Sequence, residues 1–172
     1  MLRHGHAEAQ ADGGDFEREL DGRGRTEVAR AARAVLEAVG TPDLALASAA
    51  RRTQQTAAIF CEQAHDPMRG RADLERRTPG PPVLRLEPAL YHASWREMLG
   101  VVQETDKDIG HLLVVGHNPG ISELALHWAN SLRRDGTFMG FSTAGWCSVV
   151  FESESWQTIA MPSDGLFVAA PN

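Results

Sequence analysis

Three short stretches of this 172-residue chain bring together residue types that handle phosphate. RHGHAE supplies Arg3, His4 and Glu8; SAARRTQQT, residues 48–56, supplies Arg51 and Arg52; GHNPG, residues 116–120, supplies His117 and Asn118. Arginine holds phosphate oxygens bidentately and keeps its charge. A neutral imidazole can attack phosphorus and form a covalent phosphohistidine. Cations then stabilise the charge spread over the equatorial oxygens, and no metal or other cofactor is required if they do so.

Each stretch also has a plainer reading. Two arginines in the first turn of a helix oppose its dipole by roughly 0.3–1 kcal/mol each, which a bound anion reverses and plain solvation tolerates. His117 could serve a turn only. His4 and His6, two apart on a strand, would face one way and could share a metal. No aspartate or cysteine at an edge position completes such a set, and His127 sits one face into a helix. A Walker-type loop and a G-x-S-x-G turn are both missing from the sequence.

The elements that must position these residues follow from periodicity. Met1 and Leu2 read as the last apolar positions of a first strand. A strand of ordinary length needs several more residues upstream, so either the element is very short here or the chain begins late in it. Val28, Ala31, Ala32, Val35, Leu36 and Val39 mark one face of a helix over 21–39, capped by Asp21 and ended by Gly40 and Pro42. DLALAS, 43–48, predicts a buried strand, and RRTQQTAAIFCEQA, 51–64, a helix. Residues 65–82, rich in arginine and proline, predict a surface loop. VLRLEP, 83–88, is a short strand; Ser94 and Glu97 form a capping box for a helix to about Glu104. HLLVVG, 111–116, is the clearest buried strand, and Asn118 with Pro119 starts a helix to about Leu132. WCSVVFE and WQTIAMP flank Ser153 to Ser155 as a hairpin.

Strands alternating with helices predict an α/β fold. We expect a three-layer α/β/α sandwich with a mostly parallel sheet and an antiparallel C-terminal strand pair, in a single domain over 1–172. Ligands bind such sheets beyond the carboxyl ends of the strands, where all three stretches fall. The composition, 42% hydrophobic and 23% charged, is that of a globular chain. A net charge of −6 argues against a general nucleic-acid binder. No apolar run is long enough to cross a bilayer, so no membrane association is expected. Cys61 and Cys147 lack C-x-x-C spacing and read as buried thiols; with no signal peptide recognisable, a cytoplasmic location is expected.

In order along the chain these motifs resemble the histidine phosphatase superfamily, with its phosphoglycerate-mutase-like fold, and within it the SixA-type phosphohistidine phosphatase branch. Arg3-His4-Gly5 looks like the signature. DFERELDGRG is similar to the stretch with recurring Arg, Leu and Gly, here Arg18, Leu20 and Gly24. Ser48, Arg52, Gln55 and Thr56 align with S-x-x-x-R-A-x-Q-T, VVGHNPG looks like the second-histidine motif, and FSTAGWCSVVFE resembles the C-terminal region. The resemblance implies His4 as the phosphorylated nucleophile. It implies Arg3, Arg52, His117 and Asn118 as the phosphate-binding set, and Arg52 rather than Arg51 as the motif arginine.

One position departs from the wider superfamily. Many of its phosphomonoesterases carry a glutamate after the strand read here as VLRLEP; in EPALYH that place falls on Ala89, with Glu87 displaced and His92 a further candidate. Glu8 is the other possible proton donor. An alkoxide leaving group needs a proton, whereas the imidazole of a phosphohistidine departs more readily. The resemblance therefore implies a phosphohistidine on a partner protein, such as a phosphorelay domain, as substrate. Two alternatives stay open: a small phosphorylated molecule hydrolysed with Glu8 or Glu87 as acid, and a catalytically inactive phosphate-binding or interaction module, suggested by the short first strand.

Overall fold

The computed structural model describes residues 1–65, 81–132 and 138–169. The loop expected over 65–82 lies almost wholly outside the described residues. The elements are β1 (Leu2–Arg3), α1 (Gly22–Val39), β2 (Leu44–Ser48), α2 (Arg51–Ala64), β3 (Val83–Glu87), α3 (Trp95–Gln103), β4 (Leu112–Gly116), α4 (Gly120–Ser131), β5 (Trp146–Val150) and β6 (Asp164–Val168). They form one six-stranded sheet in the order β3-β2-β4-β1-β5-β6. The first four strands in that order run parallel, and β5 and β6 are antiparallel additions.

Period-two alternation sends each buried strand to both faces. Ala45, Ala47, Leu113 and Val115 pack with Val28, Ala31, Val35 and Phe60 under α1 and α2. Leu44, Leu46 and Val114 pack with Met98, Val102, Ile121 and Trp128 under α3 and α4. The sandwich therefore has the three expected layers. Asp21 caps α1 by accepting from the Gly24 N–H, and Ser94 with Glu97 forms the expected capping box on α3.

Three expectations need correcting. The C-terminal strand pair is not WCSVVFE with WQTIAMP. β5 pairs with β6, from Trp146↔Val168 to Val150↔Asp164, and residues 156–158 form a short 3-10 turn instead. The indole of Trp156 there donates to the Ile109 carbonyl, a long-range anchor no local pattern reveals. Asn118 does not cap α4; Pro119 takes that place, without a side-chain cap. Of the two thiols, Cys147 is buried in β5 but Cys61 is only half-buried on α2.

β1 has only two residues, yet it is paired on both sides. Leu2 lies opposite Val115 and Trp146, and Arg3 opposite Gly116. The Met1 ammonium donates to the Cys147 carbonyl at 2.6 Å, and the Cys147 N–H returns a bond to the Met1 carbonyl. A cavity of about 710 Å³ is lined by Met1, by Leu112, Leu113 and Val114 of β4 and by Cys147 to Val150 of β5. Among the described residues no helix is long and apolar enough to cross a membrane.

Candidate active site

Parallel β1, β2 and β4 end at one edge of the sheet, so the residues that follow them meet there. Arg3 closes β1 and His4 follows it. Ser48 closes β2, and Arg52 stands in the first turn of α2, 3% exposed. His117 follows β4 and is equally buried. The His4 and His117 rings meet edge to face, 5.1 Å between centroids. Arg52 lies between them: its Nε donates to His4 Nε2 and its Nη2 reaches His117 Nδ1, both at 3.3 Å.

This packing sets the chemical state of each ring. His4 Nδ1 faces its neighbour's carbonyl, Gly5 O, at 2.8 Å, which places the proton on Nδ1 and the lone pair on Nε2, where it accepts from Arg52. Burial pushes the His4 pKa down to about 4, with Arg52 and Arg3 adding to the shift. Burial likewise pushes His117 down to about 3, with His4, Arg52 and His92 adding. His117 Nε2 sits 2.8 Å from Ser48 Oγ, which orients the ring. Two neutral imidazoles beside two guanidiniums make an electropositive hollow. Arg3 anchors Nη1 on the Phe141 carbonyl at 2.7 Å, while its Nε is buried with no hydrogen-bond partner among the described residues. A buried donor without a partner costs about 1–3 kcal/mol, which an incoming oxyanion would recover.

The supports are short-range and crowded. The Gly5 N–H donates to Thr56 Oγ1, which in turn donates to the Arg52 carbonyl, tying the nucleophile segment to α2. A Cβ on Gly5 would lie 2.6 Å from Val28 Cγ2 and 2.7 Å from the Gly24 carbonyl, so only glycine lets α1 approach there.

The other sequence candidates separate clearly in space. Arg51 points outward to Glu19 at 3.3 Å. The Asn118 amide donates to the Phe141 carbonyl, which Arg3 also uses, and its Oδ1 accepts from Ser122. Glu8 is exposed, and only its backbone is engaged, by Glu19 and Arg18. The Glu87 carboxylate accepts from the Ala89 N–H and caps the turn over 88–90. His6 pairs with Asp21 at 2.6 Å rather than joining His4. His127 stacks on Trp95. Gln54 holds the Ala49 carbonyl, and Gln55 accepts the Leu20 N–H. Among the described residues, no group of three or more His, Cys, Asp or Glu side chains is placed to hold a metal ion.

The sequence reading missed Asp15 and Tyr91. Asp15 Oδ2 accepts from Arg52 Nη2 at 2.9 Å and Tyr91 Oη at 3.0 Å, and it lies 3.5 Å from His92 Nε2; Oδ1 accepts from Arg18. Burial alone would raise the Asp15 carboxyl, but bonds from Arg18, Arg52 and Tyr91 hold it well below the usual carboxylate range, so it is ionised. Asp15 sits in a loop without hydrophobic period, after Gly13 and Gly14, and no local signal marks it.

The family model for the histidine phosphatase superfamily (branch 1) matches residues 1–81. A comparison with curated protein sequences gives no significant match. Among solved structures, the SixA of Agrobacterium tumefaciens is similar at 25% identity and TM-score 0.65, covering 84% of each chain. The protein histidine phosphatase SixA complexed with tungstate is similar at 20% identity and TM-score 0.69, over 99% of this chain and 94% of that one. A mycobacterial glucosyl-3-phosphoglycerate phosphatase complexed with VO3 is similar at 19% identity and TM-score 0.53, over 86% of this chain and 89% of that one.

Proposed function

We propose that this chain is a phosphatase of the histidine phosphatase superfamily, working through a covalent phosphohistidine at His4; the family model that supports this reading matches residues 1–81. The observation that carries the proposal is the placement of Arg52 between His4 Nε2 and His117 Nδ1, with the partnerless Arg3 Nε nearby. A phosphoryl group bound there draws the Arg52 N–H from His4 Nε2 and meets a lone pair already held in the unprotonated state. Arg3 and Arg52 hold its oxygens. His117 lines the same hollow beside Arg52 and helps stabilise the charge on the phosphoryl group. His4 Nε2 attacks phosphorus as the bond to the leaving group breaks. Water then attacks phosphorus, and the N–P electrons return to Nε2.

The substrate we infer is a phosphohistidine on a partner protein. The support is that, among the described residues, no carboxylic acid is placed to protonate an alkoxide. Asp15 is ionised, Glu87 is spent on a turn, and Glu8 faces outward. An imidazole leaving group places the smallest demand on an acid. The test is incubation in EDTA with a phosphohistidine-bearing domain and, separately, with p-nitrophenyl phosphate. We expect release of phosphate from the domain and a trapped, acid-labile phosphoryl group on His4. Turnover of the ester alone would put the substrate class wrong.

A further inference from the structure

We propose that His92, positioned by Asp15, is the proton donor to the departing group. The inference rests on the reading of His4 as nucleophile and adds the acid that reading lacks.

His92 follows the short turn over 88–90 and adopts φ of 52°, a left-handed conformation rare for a residue with a side chain. The turn is pinned where the start of α4 presses on the Ala93 carbonyl; a Cβ on Gly120 would collide with it. That conformation lays the His92 ring over His117, 5.9 Å between centroids and 24° between planes, and against Tyr91 at 4.2 Å. Its Nε2 lies 3.5 Å from Asp15 Oδ2, the same oxygen that binds Arg52 Nη2, so the ring stands at the rim of the phosphate hollow. Its side chain is 58% exposed, so bulk water can reload its proton.

The charged and titratable groups facing it are Asp15 from the loop before α1, His117 after β4, Tyr91 beside it, and Arg52 of α2 through Asp15. Of these, Asp15 is ionised and Tyr91 spends its hydroxyl proton on Asp15. Among the described residues, the His92 imidazole beside the Asp15 carboxylate is the remaining group at the rim placed to hand over a proton. In the step, His4 Nε2 bonds to phosphorus as the bond to the leaving atom breaks. The released electron pair takes the proton of the His92 imidazolium. In the second half, neutral His92 takes a proton from the attacking water, and the N–P bond returns its electrons to His4.

The decisive test varies the leaving group. His92→Asn keeps a residue type that tolerates left-handed backbone and removes the acid. Rates are measured for wild type and variant on p-nitrophenyl, phenyl and alkyl phosphates, with phosphoenzyme at His4 followed in parallel. We expect p-nitrophenyl phosphate to lose no more than about threefold, and phenyl and alkyl esters at least about 100-fold, the span of general-acid catalysis. An equal loss across the series, or none, overturns the role of His92. Where wild type turns over neither poorer ester, the comparison is made on a phosphohistidine-bearing domain, and an unchanged rate in the variant overturns the role. Phosphoenzyme still forming in those cases leaves the His4 reading standing; wild type that never labels His4 defeats both. Asp15→Asn should shift the pH profile of alkyl ester turnover more than that of p-nitrophenyl phosphate.

Discussion

The two ends of β1 differ sharply. At its carboxyl end, two residues lead into a crowded hollow in which His4, Arg52, His117 and Asp15 are joined by hydrogen bonds. Around its amino end, a cavity of about 710 Å³ is lined by Met1, by Leu112 to Val114 of β4 and by Cys147 to Val150 of β5. The contrast teaches that one sheet carries two separate kinds of packing. At the site, the pairing of Leu2 and Arg3 with β4 and β5 aims His4. At the other end, apolar side chains such as Phe60 flank the cavity.

Variants should therefore separate the two ends. The largest effect is expected from His4→Ala: phosphoenzyme vanishes and turnover falls by at least about 10³-fold. Vanadate binding and the melting temperature should persist, since Arg3 and Arg52 remain. At the other end, Phe60→Ala removes a fully buried ring beside the cavity and should cost about 3–5 kcal/mol of stability by chemical denaturation. Its kcat/KM, measured where the protein is still folded, should stay near wild type. If Phe60→Ala also destroys turnover, the two ends are mechanically coupled and the contrast is wrong.

Smaller effects sharpen the site end. Arg52→Lys keeps a charge but loses the fork that spans His4, His117 and Asp15, and should lower kcat by about 10²-fold. Ser48→Ala removes the orienting partner of His117 and should lower kcat about tenfold, the worth of one hydrogen bond of about 1–1.5 kcal/mol.

The last expected effect is on acid stability rather than on turnover. His4 and His117 have folded pKa values of about 4 and about 3, against 6.5 unperturbed. Above pH 6.5 their contribution is fully present. As pH falls toward 4 and then 3, the unfolded chain takes up protons that the folded one refuses, and stability is lost. The melting temperature should decline over that window, and less so in His117→Gln. Asp15, with its depressed pKa, adds a loss only below its ordinary value of 3.8.

Much of the fold was legible because its signals are local. The faces of α1 and α2, the apolar runs of β2 and β4, and the caps at Asp21 and Ser94 all read directly from residue spacing. WQTIAMP misled because it has strand-like composition while the Trp156 indole is claimed by Ile109, 47 residues away. Asn118 misled because Ser122 and Phe141 take its amide group. His92 was visible only as a candidate, since neither its left-handed backbone nor its stack on His117 follows from neighbours in sequence.

Sequence by itself determined which residues end the parallel strands, because apolar alternation places them and strand ends are where polar side chains can gather. It thereby brought Arg3, His4, Arg52 and His117 to one edge. Only the tertiary structure decided their chemical states and companions. Burial sets the protonation of both imidazoles, and Asp15, Tyr91 and His92 reach the rim from loops whose course no local pattern specifies.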